Sequence, residues 1–258
     1  MTYLNKLFNL EGKVAAITGA GGHLCGEMAR ALAQAGCRIA VLDLREEKAR
    51  KVAEEIESKG GECVYSAIDV AEKAEFERCL DKTLEAYSRV DILINGAGIN
   101  APTPILEISA EEWDNILQIQ LRSVLFGCQV FGRQMLQQKS GSIINISSAS
   151  AGPPLSKAFT YSVAKAGTLN LTQNIAREWA TSGVRVNAIR PGFFPTQWSR
   201  ENFITPDREA AILGHTPMRR YGEPSELVGG VLWLASDASS FVTGAEIPID
   251  GGFSAMTI

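Results

Sequence analysis

Apolar runs of strand length recur along this chain, separated by stretches whose apolar positions return every three or four residues. The runs "KVAAIT" (13–18), "RIAVLD" (38–43), "ECVYSAI" (62–68), "DILIN" (91–95), "SIINIS" (142–147), "VRVNAI" (184–189) and "EIPID" (246–250) read as seven strands. Alternation of such runs with helical periods is the signature of repeated βαβ units and a mainly parallel sheet. Among the helical stretches, "REEKARKVAEEIESKG" is amphipathic and stops at Gly60-Gly61. The longer "SAEEWDNILQIQLRSVLFGCQVFGRQMLQQK" opens with Ser109 and carries an acid at Glu112, the spacing of a capping box. The pattern predicts one doubly wound α/β domain over 1–258, a seven-stranded sheet with helices on both faces. From about 192 to 222 the rhythm breaks into Pro, aromatic and polar residues, which in a compact domain marks a lid or binding loop.

Composition narrows the class. With 45% apolar and 21% charged residues the chain has the usage of an ordinary globule. Its 25 basic and 29 acidic side chains leave a net charge of −4 and form no basic cluster, so nucleic acid is not an expected partner. The five cysteines show no C-x-x-C pair and no histidine at ligand spacing, which points away from a metal site and a disulfide framework and toward a cytoplasmic protein. No stretch approaches the ~18 apolar residues of a membrane span, and the N-terminus lacks a secretory apolar core.

The first strand runs into "TGAGGHLCG". The strict G-x-G-x-x-G spacing fails at Leu24, but Gly19, Gly21, Gly22 and Gly26 survive between a strand and a helix. Those glycines allow a tight turn, a bare backbone near a pyrophosphate, and helix N–H groups facing the anion. Taken alone the turn leaves a purely structural role as the lesser alternative. Asp43 closes the second strand 24 residues after Gly19, where an acid can accept the hydroxyls of an adenosine ribose and repel a 2′-phosphate, or simply cap the next helix. Together with Leu44, which follows it in place of a base, the pair favours NAD over NADP.

In "SSASAGPPLSKAFTYSVAKAG", Tyr161 and Lys165 lie four apart on one helical face, and Ser148 stands thirteen residues before the tyrosine at a strand end. A phenol with an ordinary pKa of ~10 needs a neighbouring cation to exchange protons near neutrality. Lys165 is placed to supply it, and a serine hydroxyl can share the substrate oxygen with the tyrosine. An isolated Y-x-x-x-K is a common surface pattern. Its combination with Ser148, the glycine loop and Asp43 is not.

With these motifs the chain resembles the short-chain dehydrogenase/reductase family over essentially its whole length, which implies a Rossmann-type domain. The resemblance rests on "TGAGG", Asp69-Val70, Asn95-Gly96-Ala97-Gly98, Ser148, Tyr161-x-x-x-Lys165, and Pro191-Gly192 followed by Thr196. It implies that Ser148, Tyr161, Lys165 and Gln120 are catalytic, with Tyr161 and Lys165 also touching the cofactor. It further implies cofactor contacts from Gly19, Gly21, Gly22, His23, Leu24, Asp43, Leu44, Asp69, Val70, Asn95 to Gly98, Pro191, Gly192, Phe194 and Thr196. The chain departs from the family pattern at His23 and Cys25, where glycines are usual, and at Gln120, where the family places an asparagine that holds a water linking the lysine to solvent.

The C-terminal third is similar to the branch of D-mannonate oxidoreductase (fructuronate reductase) and gluconate 5-dehydrogenase, through "RPGFFPTQ" and "HTPMRRYGEPSELVGGVLWLASDASSFVTGAEIPIDGGFSA". That implies a hydride transfer between NAD(H) and a keto or hydroxy sugar acid. Gln197, Arg200, Asn202, His215 and Arg219 would provide polar and cationic groups in the loop, with Ser148, Ser150, Phe193, Trp198 and Arg200 as candidate substrate contacts. The aromatics Phe193, Phe194 and Trp198 equally suit an apolar ketone, such as a 3-oxoacyl thioester or cyclic ketone, or plain loop packing. A binding scaffold or sensor without turnover is the reading from another class, and Gln120 is its support. Apolar residues at Leu121, Leu125, Phe126 and Phe131, with an apolar C-terminal tail, point to burial between subunits, and the resemblance implies a homotetramer.

Overall fold

The first, second, fourth and fifth strands are buried along almost their whole length, and such strands need cover on both faces. The computed structural model describes residues 2–196, 199–201 and 204–256. Seven strands form one sheet in the order β3-β2-β1-β4-β5-β6-β7, and every pairing is parallel. They are β1 (Val14–Thr18), β2 (Arg38–Asp43), β3 (Cys63–Ala67), β4 (Ile92–Asn95), β5 (Gly141–Ile146), β6 (Val184–Pro191) and β7 (Glu246–Ile249). All seven expected strands are present, most within a residue at each end, while β6 runs on to Pro191. The edge strand β7 accommodates Pro248, as an edge can.

The helices are α1 (Tyr3–Leu7), α2 (His23–Gln34), α3 (Glu46–Glu57), α4 (Lys73–Tyr87), α5 (Ala110–Leu117), α6 (Ser123–Gln138), α7 (Phe159–Trp179), α8 (Pro206–His215) and α9 (Val228–Ala235). One core joins α2, α3 and α9 to the sheet. The other joins α4, α6 and α7 to the opposite face. Phe76 and Phe131 are fully buried there, and truncating either to Ala would cost about 3–5 kcal/mol. Phe131 is therefore core, and the assembly argument loses that residue.

Two local expectations change. The long helix from Ser109 is interrupted by one π-helical turn, Gln118–Arg122, between α5 and α6. Ser109 caps α5 by accepting from Glu112 N–H at 3.1 Å, but the capping box does not close: the Glu112 carboxylate accepts from the Thr103 hydroxyl at 2.7 Å instead. The irregular segment after β6 contains α8, started by a Thr205 cap and Pro206. The strand order reverses at β1, so the crevice between the carboxyl ends of β1 and β4 is where such sheets bind ligands.

Candidate active site

The glycine loop is built around a left-handed Gly19, φ +71°, whose missing Cβ would lie 2.9 Å from the Ala97 backbone. The turns after β1 and β4 thus meet backbone to backbone, and Thr18 ties them by accepting from Gly96 N–H at 3.1 Å and Ala97 N–H at 3.3 Å. Gly22 is the N-cap of α2 and offers no side chain to its first N–H groups. Those donors and the positive end of a 12-residue helix face the crevice, the arrangement a pyrophosphate needs. Of the two residues in place of the family's glycines, His23 is exposed, and Cys25 is buried with its sulfur in the space a side chain at Gly96 would take. Burial pushes the Cys25 thiol up to about 12. Leu24 packs its side chain on the core and can meet an anion only through its backbone.

At the adenosine side, Asp43 is buried at the end of β2 and Leu44 is exposed beside it. Val70 is buried, and the exposed Asp69 accepts from Ala71 N–H at 2.9 Å, fixing the turn after β3. Asn95 is no surface ligand. It is 4% exposed and donates to Asn145 Oδ1 at 2.9 Å, while Asn145 donates to Thr172 Oγ1 at 2.9 Å. This chain of amides staples β4, β5 and α7 together directly beneath the crevice. Asn145, Thr172 and Thr18 were missed from sequence. For Asn145 and Thr18 the signal available was a polar residue inside an otherwise apolar strand, whereas Thr172, on α7, left none.

Ser148 follows β5 and starts a short 3₁₀ turn. Its Oγ accepts from the backbone N–H and the hydroxyl of Ser150, each at 3.2 Å, which leaves the Ser148 proton to be donated outward. Ser150 is 3% exposed and lies behind Ser148 as its orienter. Tyr161 and Lys165 share one face of α7, with the Lys165 ammonium 5.5 Å from the Tyr161 ring centre. Burial raises the Tyr161 phenol, and the Ser148 hydroxyl beside it pulls the other way. Lys165 is buried and donates to the Ile146 carbonyl at 2.7 Å; burial lowers its ammonium to about 8. Ser147 accounts for the helix backbone there, donating to the Lys165 carbonyl at 3.1 Å.

Gln120 sits in the π-helical turn, 1% exposed, and its amide nitrogen donates to the Ile99 carbonyl. The longer amide fits because residue 98 is glycine: a Cβ there would come within 2.6 Å of Gln120 Oε1. That Oε1 is buried with no protein partner among the described residues.

The loop after β6 is packed more than open. Gly192 donates to Ile249 O at 3.0 Å, and the Phe194 ring fills the space beside Gly222. Thr196 accepts from Ser199 N–H at 3.0 Å. Phe193 stacks edge-on against Phe253 at 5.3 Å, and His215 does so at 4.7 Å, so both pack within the loop, while Phe193 also lines a cavity with Phe194, Thr216 and Met218. Arg200 lies over the Tyr221 ring at 4.7 Å, a cation fixed in place, while Arg219 is exposed with φ +56°. Arg208 of α8 reaches Ser156 Oγ at 3.1 Å and so bridges the loop to the segment after Ser148. Trp198, Gln197 and Asn202 lie outside the described residues. Among the described residues no helix is long and apolar enough to cross a membrane.

A family model described as enoyl-(acyl carrier protein) reductase matches residues 22–254. The chain is 41% identical to an oxidoreductase called UxuB from Bacillus subtilis, with 96% of each chain covered. It is 34% identical to the 2-dehydro-3-deoxy-D-gluconate 5-dehydrogenase of Escherichia coli (95% of this chain, 97% of the relative). It is 36% identical to a 3-oxoacyl-[acyl-carrier-protein] reductase of Synechocystis (94% and 97%). A gluconate 5-dehydrogenase from Burkholderia cenocepacia in complex with NADP and tartrate superposes with a TM-score of 0.94 at 31% identity, covering 99% of this chain and 100% of that one. A proposed D-mannonate oxidoreductase from Haemophilus influenza with bound NAD gives 0.90 at 37% identity, covering 96% and 97%. The parallel sheet, the glycine turn at its reversal point and these likenesses along nearly the full chain agree: the protein belongs to the short-chain dehydrogenase/reductase family, NAD(P)-binding oxidoreductases that act on CH–OH groups.

Proposed function

We propose that the chain is an NAD-linked dehydrogenase/reductase of a keto or hydroxy sugar acid of the uronate or aldonate type. The observation that carries the catalytic part is the Ser148 hydroxyl, which accepts twice from Ser150 and so keeps its own proton for donation into the crevice. The dinucleotide fits what is present: an uncapped helix N-terminus for the pyrophosphate and a buried acid at the ribose end. When bound, it supplies or accepts the hydride at the substrate carbon.

The chain's own residues handle the proton. With its pKa raised by burial, Tyr161 is a protonated phenol at neutral pH and is set to give its Oη proton to a carbonyl oxygen. Ser148 donates to the same oxygen and fixes it. Lys165, near 8, still carries its charge at pH 7 and stabilises the phenolate that Tyr161 becomes. The unpartnered Gln120 Oε1 is an acceptor that can hold a solvent molecule, and it is that molecule, not the amide, that would carry the returning proton.

The substrate class is supported by the sugar-acid enzymes among the relatives and by Arg200, which offers a fixed cation for a carboxylate in the loop of residues 192–222 that serves as a lid. The Synechocystis relative supports the second reading, an acyl ketone. Asp43 supports NAD over NADP. A groove between α5, α6 and α7, lined by Leu117, Leu121, Leu125 and Leu171, supports assembly through that face into a homotetramer. A panel of keto-uronates, keto-gluconates and acyl ketones, each with NADH and with NADPH, tests the assignment. Turnover of a keto sugar acid with NADH at least tenfold above the others is expected. Preference for an acyl ketone moves the protein to the second reading, and tight NADH binding with no turnover on any ketone moves it to the sensor reading.

A further inference from the structure

Asp43 is held by two backbone donors, one on each carboxylate oxygen. Gly21 N–H donates to Oδ2 and Arg45 N–H to Oδ1, both at 3.0 Å. With the side chain 7% exposed, the carboxylate has one orientation. Each oxygen can accept a second hydrogen bond, so the pinned group presents a matched pair of acceptors to two neighbouring hydroxyls.

Gly21 makes that orientation possible. A Cβ at this position would lie 2.6 Å from Lys48 Cβ and 2.9 Å from both Cγ and Oδ2 of Asp43. No side chain tolerates such distances. Any residue other than glycine must push the carboxylate off the loop or lift the first turn of α3 away from β2. The backbone of Gly21 is not left-handed, so what the site requires here is space and not conformational freedom. Two exposed cations, Arg45 and Lys48, flank the acid. While Asp43 is pinned between them its charge opposes a phosphate at the ribose.

We infer that Gly21 is a specificity-determining residue that acts through Asp43, holding the acid so that a ribose with free hydroxyls is accepted and a 2′-phosphorylated one is excluded. The inference rests on the NAD preference proposed above. NADH and NADPH dissociation constants for the full chain, from nucleotide fluorescence, and kcat/KM with each cofactor test it. In Gly21→Ala the NADH-over-NADPH preference falls at least fivefold in both measures. In an Asp43→Ala background the same substitution leaves the preference unchanged, because the two act through one contact. If Gly21→Ala does not fold, Asp43→Asn, which removes the charge and gives up one of the two backbone hydrogen bonds, shows the same fall. With a wild type that prefers NADH, an unchanged ratio in Gly21→Ala or in Asp43→Asn, or an equal fall in the Asp43→Ala background, overturns the inference alone. A wild type that binds NADPH as well as NADH overturns the cofactor reading and the inference with it.

Discussion

Replacing Lys165 with methionine should stabilise the cofactor-free protein while abolishing its activity. The ammonium is 4% exposed and burial takes it from 10.5 to about 8. At about 1.4 kcal/mol per factor of ten, holding the charge inside at pH 7 costs roughly 3 kcal/mol. Methionine has similar length and no charge, but it strands the Ile146 carbonyl that Lys165 now satisfies, returning ~1 kcal/mol. The net expectation is about 2 kcal/mol, or roughly 4–8 °C in Tm for a chain of this size. The sign with pH follows from the folded value lying below the unfolded one. Between about 8 and 10.5 the unfolded chain binds a proton that the folded lysine has lost, so the wild type gains stability as pH rises through that window. At pH 9 the gain is about 1.4 kcal/mol, and the variant's advantage shrinks by that amount relative to pH 7. Buried thiols such as Cys37 and Cys128, pushed up to about 12, weaken both proteins alike above pH 9 and cancel in the comparison. Urea unfolding of the two proteins at pH 7, 8 and 9 measures the gap. A variant less stable than wild type at pH 7, or a gap that ignores pH, would refute the reasoning.

Tyr161→Phe should lower turnover by ~10² or more and leave NADH affinity near normal by fluorescence titration; near-normal turnover would remove the tyrosine from the mechanism. Because the Tyr161 phenol is raised, carbonyl reduction should hold its rate near pH 7 while alcohol oxidation climbs on the alkaline side, which paired pH–rate profiles will show. Gln120→Asn should change kcat modestly, whereas Gln120→Leu, which loses the Ile99 anchor, should cut it by about tenfold and move the pH profile; a sharp rise in Gln120→Asn would mark a decayed site. Asn145→Ala strips partners from both Asn95 and Thr172 and should cost about 2–4 kcal/mol in urea unfolding, with a loss below 1 kcal/mol arguing that the staple is dispensable.

Seven strands were legible in the chain because buried parallel strands have to be apolar nearly throughout, and runs such as "RIAVLD" have few other readings. Tyr161 and Lys165 were legible because spacing along one helix survives folding unchanged, and Ser148 because it stands at the end of an apolar strand run. Contacts that join distant segments left no such mark. Nothing in "EEWDNILQIQLRSV" announces a π-helical turn, and nothing near Glu112 shows that Thr103 takes its carboxylate. Phe193 and His215 meet on Phe253, a residue 38 positions beyond the nearer of them, so their packing role could be weighed from sequence but not seen. Ser150 read as a candidate substrate contact, and its hydroxyl is instead donated to Ser148.

The π-helical turn has a mechanical consequence. A regular α-helix advances about 100° per residue, so consecutive side chains cannot be re-aimed independently without an extra residue in the coil. Here that extra residue lets Gln120 point to the Ile99 carbonyl while its neighbours Gln118, Leu121 and Arg122 line the outer groove. Leu121 also presses on Gly167 of α7, two positions past Lys165, close enough that a Cβ there would stand 2.9 Å from its methyl. The five residues of the turn thus reach the Ile99 loop on one side and the outer groove on the other, and a chain one residue shorter here would keep both helices yet swing the amide away from the loop it holds.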